Sequence, residues 1–373
     1  MQTQTETPPL AALQGPPEDP KIELLGMPLK KLEDLLEGFG EKRFRAVQLA
    51  EWIYKKKSWD FESMTNLSKS LREKLKRHCR VSLLTVARRQ VSRRDGTTKY
   101  LFRCPDGELV ESVYLPHEGR RTACLSTQVG CAMGCRFCAT GDSGFSRHLS
   151  SWEIVAQVLG IEADQGLELD NLVYMGMGEP MHNWEGTRES LATLLDPAGR
   201  GFGPRHVTVS TCGVVPGILK LAESGLGARL AVSLHAPDDA TRGALMPVND
   251  RYPLRELMGA CRAYQEKTGL QLTFEYTLFA GQNDGVGDAR ALAALLKGLE
   301  CKVNLIPYNP VAGLPHQAPD FQAVAAFQTE LKRLGLSAML RTEKGGDIDA
   351  ACGQLRRRSL EAGGAAKEDG SDG

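Results

Sequence analysis

From Arg121 onward the chain alternates short apolar runs with amphipathic stretches, and this alternation constrains its fold more than any other feature. Strands are predicted at 122–128, 171–178, 206–213, 229–236, 272–279, 302–309 and 337–342. Helical periodicity marks 152–163, 215–224, 253–269, 289–300 and 323–335. A helix carried between two strands makes a crossover, and a crossover makes its strands parallel. Repetition of that unit along one chain specifies α/β architecture, a full or partial (β/α) barrel, with its ligands at the C-terminal ends of the strands.

The segment before the barrel has a different texture. Residues 28–40, 43–57 and 67–79 have apolar side chains at three- and four-residue spacing, the pattern of helices with one buried face. They lead into two β runs, 97–104 and 109–116, on either side of Pro105-Asp106-Gly107, a hairpin signal. The organisation expected is therefore a disordered segment 1–20, a basic helical accessory domain 21–95, a small β-hairpin linker 96–121, the barrel 122–354 and a disordered tail 355–373.

The formal net charge of zero conceals an uneven distribution. Residues 21–99 hold 20 Lys and Arg against 10 Asp and Glu, a net +10, whereas 100–353 hold 22 against 29, a net −7. A basic module on a mildly acidic body is the footprint of a polyanion-binding surface, though a Lys-rich solvated helix face reads the same way. Trp52, Tyr54 and Trp59 lie among Lys55, Lys56 and Lys57. They suit stacking on nucleotides, and at helical spacing they suit a core as well. No run approaches the ~18 apolar residues that span a bilayer. The N-terminal residues have neither the basic nor the apolar region of a secretory signal. A cytoplasmic protein with no membrane partner is expected. Its 10 cysteines are too sparse for a disulfide scaffold, and their clustering suits metal or thiol chemistry.

Three of those cysteines, Cys131, Cys135 and Cys138, follow the first predicted strand of the barrel with spacings of three and two. Thiolates so placed on a tight loop converge on three irons of one cubane cluster and leave the fourth iron open. Gly130 and Gly134 let the backbone wrap closely around the inorganic core. A zinc knuckle or buried cysteines are the alternatives, and Cys124 lies only seven residues upstream. Polar groups recur at the later strand ends: Gly178-Glu179 after the second strand, Ser210 on the third, Ser233-Leu234-His235 on the fourth and Asn309 on the sixth. Each alone reads as a cap or turn residue, and their common position is what groups them. Cys352 sits in the flexible run Gly345–Gln354. Two thiols outside the cluster suit a nucleophile and a resolving partner, while a buried Cys124 and an idle Cys352 are the plain reading.

The cysteine loop resembles the signature of the radical S-adenosylmethionine (SAM) superfamily, with Phe137 at the position where an aromatic is common. With MGMGEP, VSLHAP, NLIPYNP and GDIDAACGQL in this order, the chain is similar over roughly residues 21–354 to the RlmN family of bacterial dual-specificity RNA methyltransferases. The resemblance implies a radical SAM partial barrel with one 4Fe–4S cluster held by Cys131, Cys135 and Cys138. It implies SAM contacts at Gly178, Glu179, Ser210, Ser233, Leu234, His235 and Asn309, and two SAM molecules per turnover. The product implied is 2-methyladenosine in 23S rRNA, at the peptidyl transferase centre, and in tRNA, 3′ of the anticodon.

C2 of adenine is electrophilic and cannot attack the SAM methyl group. The implied route makes Cys352 the methyl carrier, and hydrogen-atom removal from its S-methyl group yields a methylene radical that adds to C2. Glu111 is the implied proton acceptor. Cys124 releases the covalent adduct and is left in a Cys124–Cys352 disulfide. An acid in a hairpin strand, as Glu111 is, reads equally as a surface residue. A monomer served by a flavodoxin or ferredoxin electron donor is expected. The rivals are the related family that methylates C8 of the same rRNA adenosine and confers antibiotic resistance, another radical SAM reaction, and a non-catalytic RNA-binding protein with structural zinc.

Overall fold

The computed structural model describes residues 21–355, so the expectations for 1–20 and for the tail beyond Leu355 lie outside the described residues. Ten strands form one sheet: β1 (Thr85–Val91), β2 (Thr98–Arg103), β3 (Leu109–His117), β4 (Arg120–Cys124), β5 (Asn171–Tyr174), β6 (Val207–Thr211), β7 (Arg229–Ser233), β8 (Leu272–Leu278), β9 (Cys301–Pro307) and β10 (Ser337–Leu340). Each strand pairs with its neighbour in sequence, and β1 and β10 are the edges. The order is that of a barrel left open. Pairings from β4 to β10 are parallel, as the crossover helices require, and β1 to β4 pair antiparallel. The hairpin at Pro105-Asp106-Gly107 is therefore continuous with the parallel sheet.

Local chemistry explains the elements that flank the site. The helix Ser151–Gln165 starts on a capping box in which Glu153 Oε2 accepts from Ser150 N at 2.8 Å, and it ends at Gly166 with φ of 62°. Such a cap contributes about 1 kcal/mol and fixes where the helix begins. Its residues Ile154, Val155, Val158, Leu159 and Ile161 are buried against the sheet. A helix at Trp184–Leu195, which the periodicity reading leaves out, completes the crossover from β5 to β6.

The basic helices pack on the outside of this wall. Leu32 and Leu36 of the helix Leu29–Gly38 meet Leu49, Ile53, Leu71 and Leu75 in a core continuous with that of the barrel. Tyr54 is buried, and its hydroxyl accepts from Gly26 N at 2.9 Å. Gly26 must be glycine: its φ is +70°, and a Cβ would lie 2.6 Å from Trp152 N. Lys57 pairs with the buried Glu162 at 3.1 Å, which ties the helical segment to Ser151–Gln165. Trp52 lies under Lys56, with Nζ 3.7 Å from its ring centre. Tyr54 is thus a core and anchoring residue, and one face of Trp52 is already covered.

Beyond β10 the chain folds back over the open side of the sheet. Gly345 N donates to Asp95 Oδ2 at 3.1 Å, Arg93 N to Asp347 Oδ2 at 3.2 Å, and Lys99 Nζ to Asp349 O at 3.1 Å. The segment carrying Cys352 is therefore fastened to the hairpin on the far side of the opening.

Candidate active site

The predicted strand 122–128 divides in two. β4 ends at Cys124, and Gln128–Gly130 pairs with Phe145–His148 in a separate small hairpin. The division arises because Thr127 N and Gln128 N both donate to Met177 O, at 2.8 and 3.2 Å, which pulls the backbone out of the sheet. Cys131 emerges from that hairpin with its N–H on Gly144 O at 2.9 Å. Gly130, at φ +77°, lies so close to Gly144 that a Cβ would come within 1.9 Å of its carbonyl oxygen. Cys138 N donates to Cys135 O, closing the loop at 3.2 Å.

Cys131, Cys135 and Cys138 are half-buried and line one cavity, together with Gly178, Glu179, Ser210, Ser233, His235 and Asn309. The strand ends thus deliver their polar groups to the rim, as parallel barrel geometry requires. Burial pushes the Cys131 thiol up to about 12 and holds that of Cys135 well above the ordinary cysteine value. An all-thiol site this dry needs the positive charge of bound metal to keep its thiolates, and soft thiolate donors suit iron–sulfur chemistry. Among the described residues no three His, Cys, Asp or Glu side chains come together around a single metal ion. A cluster that takes one thiolate per iron needs its ligands spread around a cavity wall, which is how these three are disposed, so the donor set fits the group.

Glu179 is buried, and its carboxylate accepts from Met181 N at 3.0 Å and from Cys212 N at 2.8 Å. Its own N–H donates to Gln128 Oε1 at 2.9 Å. Burial nonetheless raises its pKa, so a cationic group in the cavity is the partner this carboxylate favours. His235 has φ of 57°, and its Nδ1 accepts from Thr277 N at 2.9 Å. Burial lowers its pKa to about 3, so the ring is neutral, with the proton on Nε2. Phe137 meets this ring edge-on at 4.9 Å and packs on Phe279 at 5.3 Å. Leu234 stands apart from the cavity lining: its side chain is wholly buried and its N–H donates to Glu275 O at 3.0 Å.

A second lobe opens off the first, and the two share Cys138, Gly176, Tyr308, Asn309, Arg341 and Cys352. Val113, Leu115, Met175 and Ile306 give it apolar walls, and Cys124 lines it from the end of β4. Cys124 is buried, which pushes its thiol up to about 12. Cys352 is exposed to the lobe, and Asn309 Nδ2 donates to its carbonyl at 3.2 Å. Both are free thiols, as are all 10 cysteines, so no Cys124–Cys352 bond is formed in this structure and a reduced thiol pair faces one space.

Glu111 lies outside both lobes. It is 2% exposed, pairs with Lys99 at 3.4 Å and faces a small separate recess beside Arg88 and Gln90. Sequence reasoning also passed over several residues. Arg341 lines both lobes 3.9 Å from Glu275, and as the polar residue after the last strand it could have been found by the strand-end rule. Gln128 bonds Glu179 on one side and His148 and His182 on the other, at 3.0 and 3.1 Å. Arg242 is wholly buried beside the site, donating to Cys212 O at 2.6 Å and to Asn249 Oδ1 at 2.8 Å. An arginine in a short polar helix carries no sequence signal of burial.

Residues 22–81 match the model of the ribosomal RNA large subunit methyltransferase N-terminal domain, and 125–293 match that of the radical SAM superfamily. A probable dual-specificity RNA methyltransferase RlmN of Pelotomaculum thermopropionicum is 48% identical over 339 residues, covering 91% of this chain and 92% of that protein. Its counterpart in Thermotoga neapolitana is 47% identical, covering 89% and 97%. The crystal structure of a radical SAM methyltransferase from Sphaerobacter thermophilus superposes with a TM-score of 0.84 at 44% identity, covering 90% of this chain and all of that one.

Proposed function

The chain belongs to the RlmN family of radical SAM, dual-specificity RNA methyltransferases, and from that premise we propose that it makes 2-methyladenosine in both 23S rRNA and tRNA. One arrangement carries the reading: an exposed Cys352 and a buried Cys124 line an apolar lobe that opens directly onto the three-cysteine lobe.

Cys131, Cys135 and Cys138 would hold the 4Fe–4S cluster, and Glu179, Ser210, Ser233, His235 and Asn309, with the backbone at Gly178, would hold SAM, while Leu234 lies behind that lining. When bound, the cluster supplies the electron that turns SAM into an organic radical able to take a hydrogen atom from a methyl group. The rest falls to the chain itself. The Cys352 thiolate accepts a methyl group from a first SAM, forming an S–C bond as S-adenosylhomocysteine leaves. After hydrogen-atom removal, the methylene carbon on Cys352 bonds C2 of an adenine lying against Val113 and Leu115. The C2 proton is assigned to Glu111, which lies outside the lobe and so receives it through bonded groups rather than by contact with the base. Its carboxylate is held by Lys99, which also donates to Asp349 O on the segment bearing Cys352. With one electron passed to an oxidised one-electron carrier, the Cys124 thiolate attacks the sulfur of Cys352, the S–C bond breaks with its pair on the methylene carbon, a proton from solvent completes the methyl group, and the Cys124–Cys352 disulfide awaits reduction. Residues 21–95 bind RNA, a small one-electron donor of flavodoxin or ferredoxin type serves the site, and the enzyme works as a cytoplasmic monomer. No helix among the described residues is long and apolar enough to cross a membrane.

Nucleoside mass spectrometry on rRNA and tRNA from a deletion strain, with and without this gene restored, tests the reading. Restored 2-methyladenosine in both RNAs supports it. Restored 8-methyladenosine assigns the chain the chemistry of the related C8 family, and no methylated adenosine from cluster-loaded enzyme means that the substrate is wrong.

A further inference from the structure

Three loops meet at the outer edge of the thiol lobe, where the sheet is left open. They are the β1–β2 turn with Arg94, the β3–β4 turn with Arg120 at its exit into β4, and the segment after β10 with Lys344. Together they line a shallow recess. Lys344 also lines the lobe that contains Cys124 and Cys352, so the recess is continuous with the mouth of that lobe.

Its charges are not balanced internally. Arg121, at the back, is committed to Asp170 at 2.7 Å, whereas Arg94, Arg120 and Lys344 are in no ion pair among the described residues, and the exposed Asp347 beside the recess acts on Arg94 through space. Of the two acids in the recess, Asp95 accepts from Thr97 N at 2.9 Å and Gly345 N at 3.1 Å, which holds the loops together. Glu118 stands exposed on the β3–β4 turn. Arg94 and Arg120 are exposed, come from different loops and line the same recess, so an anion bound there meets both positive charges.

We propose that this recess is a phosphate subsite for the RNA strand on either side of the captured adenosine. The inference rests on the reading given under Proposed function. A base drawn out of its stack into the thiol lobe leaves its sugar–phosphate backbone across the mouth, and RNA is gripped there through phosphate oxygens. Guanidinium groups from two turns supply forked donors for such oxygens, and the Lys344 ammonium supplies a point charge at the lobe's entrance. The apolar lobe reads the base and the recess registers the strand. This subsite lies on the barrel, apart from the basic helices.

The test is the affinity of the full-length protein for a fluorescein-labelled anticodon stem–loop RNA, by anisotropy across a salt series. The R94E/R120E pair should weaken binding at least tenfold and lower the slope of log K against log salt by about 1, at ~0.7 per phosphate contact for single strands. Lys344→Ala should weaken it severalfold. Lys297→Glu, an exposed lysine on another part of the barrel, serves as a remote charge-reversal control with half the charge change of the pair. Should the reversed pair fail to fold by circular dichroism, the R94Q/R120Q pair carries the same expectation with a smaller loss. An unchanged slope, or an equal loss in Lys297→Glu, overturns the subsite. Unchanged RNA binding with weakened binding of an acidic flavoprotein donor reassigns the recess to electron transfer. RNA binding absent from the wild type itself overturns the parent reading.

Discussion

Cys124 and Cys352 line the same lobe in opposite states of access: Cys124 is 9% exposed at the end of β4, and Cys352 is open on the segment that folds back over the sheet. Burial pushes the Cys124 thiol up to about 12, so at neutral pH it carries almost no thiolate. Only the exposed partner is accessible to a methyl donor, which orders the roles of the two thiols. Cys124 becomes useful after the sulfur of Cys352 has been loaded.

Cys124→Ala should still acquire a methyl group on Cys352 and should then accumulate as a covalent adduct with RNA. Peptide mass spectrometry reads the first event and a denaturing gel the second. Cys352→Ala should show neither. Free, unmodified RNA from Cys124→Ala under turnover conditions would remove Cys124 from the resolving role.

The pH dependence of Cys352 methylation follows from its surroundings. The protein crowding its recess holds the thiol above the ordinary cysteine value, Arg341 pulls it down and Glu275 pushes it up. Because the thiolate is the nucleophile, the RNA-independent methylation rate should rise through pH 7 to 9 without levelling. Arg341→Gln removes the lowering charge and should slow the reaction about three- to tenfold at pH 7.5, the deficit shrinking only above the pH at which the wild-type rate levels, since one pKa unit corresponds to a factor of 10 in thiolate below it. An equal deficit at every pH would mean that Arg341 acts by shape alone.

His235 ties acid stability to the site. In the folded protein it stays neutral down to about pH 3, whereas an unfolded histidine takes its proton near 6.5. The unfolded state therefore binds the extra proton between those values. The contribution is complete above pH 6.5 and is lost as pH falls towards 3, by about 2 kcal/mol between pH 7 and pH 5. Denaturant midpoints at those two pH values should differ less in His235→Gln than in the wild type. A difference of the same size in both would show that other groups set the acid limb.

The legibility of the sequence varied with the kind of signal. Repeated β and α periodicity gave the parallel strands and the open barrel, because a crossover helix leaves few other arrangements. The cysteine spacing located the site because three thiols so close in sequence share one loop wherever that loop lies. Glu111 was readable as a residue and not as a position. β3 is covered on both faces from Leu109 to Tyr114, so no alternation reveals which lobe or recess a given side chain faces. The placement of Glu111 diagonal to Lys99 comes from the register of β2 and β3, where Leu101 pairs with Glu111 and Lys99 with Val113, and register is a property of the folded sheet. Arg242 and Gln128 escaped for a related reason: Cys212 O and Asn249 reach the one, and Glu179 N, His148 and His182 the other, only in the folded chain.

Gly130 and Gly144 allow the cysteine loop to be tested without touching a thiol. Both have left-handed backbones, with φ of +77° and +74°. A Cβ on Gly130 would meet Gly144 O at 1.9 Å, whereas one on Gly144 meets nothing within 4 Å. Gly144→Ala should therefore incur only the conformational cost, about 1–2 kcal/mol. Gly130→Ala adds an overlap that can be relieved only by moving Cys131, whose N–H is bonded to that same carbonyl. Its melting temperature should fall further than that of Gly144→Ala. Its iron and sulfide content after anaerobic reconstitution should drop well below that of the wild type, while Gly144→Ala loads normally. Full iron loading in Gly130→Ala, with melting no lower than in Gly144→Ala, would mean that the close approach of the two glycines does not set the position of the first cysteine.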